Sequence, residues 1–221
     1  MKSNFFLQLI IFAFLLFSPV EVRAEKMTPS EAESWTQDKG EKLLQAFSES
    51  DIAKRNLQLD EMLLNYVDLD YIARFVMGKY WRQMTPEQKG VYLPLFQRYA
   101  LSVYKSFPLN FDSEKIHYQI LRARVERDYT DVSAKVQLDS KDIPDELQDI
   151  LVEFRLHKQQ GQIRIIDLKL GESSLILSYR GRFYQMLAQN DGDIDWFLED
   201  LETVTGSTEL QNRQKLEAGA N

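Results

Sequence analysis

From Thr28 to about Pro108 the apolar residues recur every three or four positions; they alternate through the middle of the chain and return to the helical interval near its end. Thr28-Pro29-Ser30-Glu31 is a capping box with proline at the first helical position. It predicts a helix to about Ser48 with Trp35, Leu43, Leu44 and Phe47 inward. A second helix is expected from about Ala53 to Tyr66, on Leu57, Leu59, Met62 and Leu63. Asp68 or Asp70 can cap a third, with Ile72, Phe75, Val76 and Tyr80 inward. Thr85-Pro86-Glu87-Gln88 repeats the box and opens a long helix on Val91, Leu95, Phe96, Tyr99 and Val103, stopping near Pro108.

The period then switches to two. Ile116, Tyr118 and Ile120 begin a strand region, Val132, Ala134, Val136 and Leu138 alternate cleanly, and so do Ile150, Val152, Phe154 and Leu156. Lys158 to Gln162 reads as a turn into a last strand, Ile163 to Leu170, in which Ile166, Leu168 and Leu170 share a face. Short connections make this an antiparallel meander of four or five strands. Past Gly171 the helical interval returns on Leu175, Ile176, Tyr179, Phe183, Met186 and Leu187, with Ser173 or Ser174 as cap and an end near Gln189. A final helix is expected from Ile194 to about Val204, then a loose polar tail over 206–221. The fold class is α+β: N-terminal helices, a twisted antiparallel meander sheet of four or five strands, and C-terminal helices packed on the sheet, their apolar sides either packing solid or standing apart around an apolar cavity.

The start of the chain changes the picture. Lys2 precedes an apolar run from Phe5 to Phe17, followed by Pro19 and Val22-Arg23-Ala24, the layout of a cleavable export signal over residues 1–24. Thirteen apolar-rich residues are fewer than the roughly 20 that span a bilayer core. Cleavage after Ala24 leaves 25–205 as a single domain and exposes the protein to the periplasm. The formal charge of −7 becomes −8, because the removed segment carries Lys2 and Arg23 against Glu21. Such a charge disfavours nucleic acid and anionic lipid surfaces as partners, so any membrane contact is transient. There is no cysteine, hence no disulfide and no thiolate chemistry.

Convergent reactive groups are scarce. His117 and His157 fall on different predicted strands with no metal-ligand spacing around either, and each is expected to point to water. Gly171-Glu172-Ser173-Ser174 lacks the second glycine of a nucleophile elbow. Asp191-Gly192-Asp193 resembles part of a calcium loop, but the remaining ligands and closing glutamate are missing. Asp193, Asp195, Glu199 and Asp200 share a helix with Ile194, Phe197, Leu198 and Leu201 and read as its solvated face. Neither an enzyme, a metal site nor a cofactor is implied.

Two segments carry a resemblance. ARFVMGKYWRQMTPEQK (Ala73 to Lys89), followed by an aromatic helix ending YKSF (Tyr104 to Phe107), and IIDLKLGESSLILSYRGRF (Ile166 to Phe183) are similar to the two signatures of the toluene-tolerance or MlaC family. The resemblance implies a periplasmic carrier that shuttles glycerophospholipid between the outer membrane and an inner-membrane ABC transporter. Its partners would be that transporter complex and an outer-membrane lipoprotein complex. Alternatives are a carrier of another hydrophobic ligand, such as a hopanoid precursor or a lipoprotein's acyl chains, and a small-substrate enzyme on a helix-covered curved sheet.

On that resemblance the expected lining is Phe75, Val76, Tyr80, Leu95, Tyr99, Val125, Leu168, Leu170, Leu175, Ile176, Tyr179, Phe183 and Leu187, each of which could equally be plain core. Arg180 is either a donor to the headgroup phosphate or a structural ion-pair partner of an acid such as Asp167. Trp81 is either core or a rim aromatic.

Overall fold

A computed structural model describes residues 25–106, 115–138 and 149–219. The expected export signal, the stop at Pro108 and most of the acidic connection after Leu138 lie outside the described residues. Helices α1 (Pro29–Phe47), α2 (Ile52–Tyr66) and α3 (Leu69–Met77), a 3₁₀ turn (Tyr80–Arg82) and α4 (Pro86–Ser106) precede the strands. Strands β1 (Ile116–Val125), β2 (Thr130–Leu138), β3 (Asp149–Gln159), β4 (Gln162–Leu170) and the two-residue β5 (Ser173–Ser174) form one antiparallel sheet in sequence order. Helices α5 (Leu175–Gln189) and α6 (Ile194–Gly219) close the chain.

Side-chain caps set the helix starts. Thr28 Oγ1 accepts from the Glu31 N–H at 3.1 Å, and Asp51 Oδ1 accepts from the Ala53 and Lys54 N–H groups. The second capping box is reciprocal: Gln88 N–H donates to Thr85 Oγ1, and Thr85 N–H donates to Gln88 Oε1. Two facing predictions need correction. Val91 is exposed while its neighbour Tyr92 is fully buried, its hydroxyl donating to Ala73 O at 2.9 Å. Leu57 is likewise exposed.

The expected loose tail is helix: α6 continues to Gly219 instead of ending near Val204. Periodicity missed it because polar groups dock this stretch. Arg98 of α4 pairs with both Glu202 and Glu209, Thr205 and Asn212 are buried, and Asn212 Nδ2 donates to Ser102 O at 2.8 Å.

Sheet register places its faces. Ile120, Ala134 and Val152 lie in line across the strands, as do Tyr118, Val136 and Ile150. Opposite β3, Leu170 pairs with Val152 and Leu168 with Phe154, but Leu156 pairs with Ile165. One extra residue, Ile166, sits in that slip, and a single extra residue changes the face of everything beyond it. Ile163, Ile165, Leu168 and Leu170 therefore share a face, and Ile166 does not join Leu168 and Leu170 as expected from alternation.

Two apolar clusters result. The larger joins α3, α4, α5 and α6 around Val76, Tyr92, Tyr99, Phe183, Phe197 and Leu201. Its rings meet edge-on or tilted, Phe183 lying 5.2 Å from Phe197 and 5.5 Å from Tyr99, a favoured aromatic geometry. The smaller joins the N-terminal half of α1 (Ala32, Trp35) to Val132, Leu156, Phe154 and Ile165 on the sheet.

Candidate functional site

Helix α1 lies over β1 and β2: Tyr118 Oη donates to Gln37 O, its ring abuts Gly40, and Glu33 accepts from the Ala123 N–H. Helix α2 returns over β4 and ends where Val67 forms a parallel bridge with Ile165. The two helices close on each other near Trp35 and Tyr66, whose rings meet edge-on at 6.1 Å. Toward the other end they contribute no residue to the larger cluster. Ala134 and Val152 on the sheet, with Ala46 and Leu59 on the helices, are buried yet fall outside both clusters. Beside them Val136, Ile150 and Leu168 are half-buried and Leu170 is exposed. The sheet face toward the α1–α2 hairpin thus carries apolar residues outside both packed clusters. A surface hollow of about 270 Å³ marks the seam of that hairpin, lined by Lys42, Gln45, Ala46, Gln58, Glu61, Met62, Asn65 and Tyr66.

The opposite sheet face is polar and three buried carboxylates lie on or against it. Asp131 takes the Arg155 Nε and Nη2 at 2.8 and 3.0 Å. Asp167 accepts from Ser174 Oγ at 2.7 Å and from the Ile176 N–H, so the strand itself holds the start of α5, and Ser174 caps that helix. Asp68 caps α3 through the Tyr71 N–H at 2.8 Å and lies 2.9 Å from His157 Nε2. His157 is therefore buried against Asp68, a correction to the expectation that it points to water.

Burial alone would raise the Asp68 carboxyl, but His157 and the Tyr71 N–H outweigh that and hold it below its ordinary value. With the folded value depressed, the stability it contributes is present above the unfolded value of about 4 and is lost as pH falls through the folded one. Asp68→Asn keeps the cap oxygen and loses the titration. Urea unfolding between pH 7 and pH 3 should show a shallower acid limb in the variant; identical acid limbs would refute this role.

The expected lining residues divide into two sets. Val76, Leu95, Tyr99, Ile176, Phe183 and Leu187 are buried together in the helical cluster, with Phe75, Tyr80 and Tyr179 packed against it. Burial there pushes the Tyr179 phenol up to about 12. Trp81 packs on the same cluster. Leu168 and Leu170 lie instead on the sheet, paired with Phe154 and Val152. Val125 sits at the other end of that sheet face, opposite Thr130, and Leu175 is exposed at the start of α5. Alternation identified Val136 in one strand and Ile150, Val152 and Phe154 in the next, but not as neighbours of one another or of Leu168 and Leu170. The strand register supplies that link.

Arg180 does not pair with Asp167, whose oxygens are taken by Ser174 and the backbone. Its guanidinium lies 5.3 Å from the Phe75 ring centre and 5.2 Å from that of Tyr184, and Nη2 donates to Tyr184 Oη at 3.2 Å.

Comparison with known proteins was made on this geometry. The sequence model of the family described as MlaC protein matches residues 37–203. The chain belongs to the MlaC family. Among solved structures, the MlaC-family chain is similar to the phospholipid-binding protein from Ralstonia solanacearum in complex with a phospholipid. The TM-score is 0.62 at 14% identity, over 80% of this chain and 98% of that one, which establishes a common fold. No curated protein matches. Among the described residues of this MlaC chain, no helix is long and apolar enough to cross a membrane, and no group of three or more His, Asp or Glu could hold a metal ion.

Proposed function

We propose that this MlaC-family protein is a periplasmic phospholipid carrier. It holds glycerophospholipid acyl chains in a slot between the sheet and the α1–α2 hairpin and binds its lipid without converting it. The observation that carries the reading is the row Val136, Ile150, Val152, Leu168 and Leu170, apolar, outside either packed cluster and running from buried Val152 to exposed Leu170. The common fold with a protein whose structure contains a phospholipid supports it. Leu168 and Leu170 would touch the tails directly. The ring-packed layer from Phe75 to Leu187 would back the sheet from its opposite face, Val125 would lie at the far end of the slot face, and Leu175 would stand at the exposed start of α5.

The physics requires such a container. Two acyl chains hold roughly 30 methylenes at about 0.8 kcal/mol each, so free passage through water faces a barrier above ~20 kcal/mol. A dry apolar slot removes most of it. Tail burial is directionless and tolerates different chain lengths. Parting of α1 from α2 at their shared seam would admit the lipid, and reclosure would shield it. Export directed by residues 1–24 would deliver the carrier to the space between the outer membrane and an inner-membrane ABC transporter complex. An outer-membrane lipoprotein complex would load or receive it at the other end.

The test is a lipid extract of protein purified from periplasm without detergent, read by mass spectrometry. Diacyl glycerophospholipid near one molecule per protein is the expected result. A hopanoid, a lipoprotein fragment or no lipid at all would overturn the assignment.

A further inference from the structure

Between Arg182 and Arg213 the chain carries seven acidic residues and no Lys, Arg or His. Two of the seven, Glu202 and Glu209, are held by Arg98 of α4. Among the described residues, none of the other five (Asp191, Asp193, Asp195, Glu199 and Asp200) comes within ion-pair distance of a cation. Asp195 takes the Gln88 amide and Asp200 the Asn190 amide, neutral contacts that leave both charges uncompensated. All five lie on the turn from α5 into α6 or in the first two turns of α6.

An open surface hollow of about 550 Å³ lies at that turn, lined by Gln189, Asn190, Asp191, Gly192, Asp193 and Trp196. Local bonds fix its frame. Gly192 N–H donates to Leu187 O and Asp193 N–H to Asn190 O, both at 2.8 Å, while Asp193 Oδ1 accepts from the Asp195 and Trp196 N–H groups. Trp196 is 58% exposed. The other two tryptophans are already covered: Lys39 stands over the Trp35 ring at 5.8 Å and Lys89 over Trp81 at 5.1 Å, and each ring also meets a tyrosine. Among the described residues no ring or cation lies over Trp196. Val204 and Leu210 are exposed farther along α6, so the outward side of this helix is unpartnered.

We infer that the outward side of α6, with the hollow at its start, is a docking surface for a protein partner that presents Lys or Arg side chains. An aromatic face beside carboxylates attracts a cation through the ring and through charge at once, and tryptophan is among the residues enriched at interface hot spots. The sign of the charge decides among occupants. A second copy docked through the same face would set its unpaired carboxylates against those of the first, at a cost. An anionic lipid surface would be repelled for the same reason. Among the described residues no three acidic groups converge to hold a metal ion, which leaves cationic side chains as the compensating charge. The inference stands apart from the carrier reading, because it uses none of the residues assigned to the lipid.

The probe is acetyl-tetraarginine amide, titrated at low salt against the full ¹⁵N-labelled protein and followed through the indole N–H signals of Trp35, Trp81 and Trp196. Acetyl-tetracitrulline amide is the neutral control. The expected result is a saturable shift of the Trp196 signal by the arginine probe alone, with the other two unmoved and binding weakened as salt is raised. By calorimetry, Trp196→Ala should weaken binding about fivefold, and Trp196→Phe should recover part of that loss. Binding unchanged in Trp196→Ala, or equal shifts of all three indoles, would overturn the site. A dimer, or adsorption to phosphatidylglycerol vesicles, that Trp196→Ala abolishes would also overturn it, because a second copy or a membrane would then be the occupant.

Discussion

Asp131→Ala should lose about 3 to 5 kcal/mol of unfolding free energy, the range for removing one partner of a buried ion pair. The side chain of Asp131 is 1% exposed and carries the Arg155 fork on both oxygens, while Arg155 lies over the Tyr129 ring at 3.9 Å. The bond to Asp131 raises the Arg155 guanidinium further above its ordinary value, so deletion of the acid leaves a charge that cannot neutralise. About a quarter of the Arg155 side chain reaches water, which places the loss toward the lower end of the range. Arg124, 60% exposed and 3.5 Å from the same carboxylate, should cost under about 1 kcal/mol when replaced by alanine. Urea titration of the two variants measures the contrast, and equal losses would show that the polar sheet face is not held by the Asp131–Arg155 pair.

Leu168→Trp should lower the amount of co-purified phospholipid at least fivefold with little change in thermal midpoint. Leu168 is half-buried on β4 opposite Phe154, on the face that α1 and α2 cover. An indole fits where acyl methylenes would lie and excludes them. The same substitution in a solid interior would instead overpack it at a cost of about 1 to 3 kcal/mol. Full lipid occupancy combined with that destabilisation would mean the sheet and hairpin already interlock at this point.

Local rules made the helix starts legible. Thr28, Thr85 and Ser174 each cap where a short polar residue precedes an apolar periodic run, because an orphan N–H is satisfied within three residues of chain. Alternation placed the strands, and the chemistry of short connections made them antiparallel. Features set by distant partners were not legible. The buried contact of His157 depends on Asp68, which the chain brings back alongside β4 through the Asp68 N–H and Ile165 O. The length of α6 depends on Arg98, more than a hundred residues before Glu202 and Glu209.

At the site the division is the same. Apolar spacing selected the large side chains of α3, α4 and α5 as inward-facing, correctly except at Val91 and Leu175, but it cannot separate a wall that packs on itself from one that borders a slot. That distinction came from the register of β3 against β4, where Ile166 is the extra residue and turns Leu168 and Leu170 onto the face of Val152. Arg180 was recognisable from the resemblance as a candidate donor to a phosphate. Its company of Gly78, Lys79 and Tyr184 follows only from the docking of α3 on α5.

The location of the hydrocarbon is the most direct thing to measure. A phospholipid bearing a nitroxide halfway along one acyl chain, loaded onto protein with ¹³C-labelled methyl groups, should broaden the methyl signals of Val136, Val152 and Leu168 and leave those of Leu187 and Leu201 sharp. Broadening confined to Leu187 and Leu201, with the sheet methyls untouched, would contradict an acyl-chain slot between the sheet and the α1–α2 hairpin.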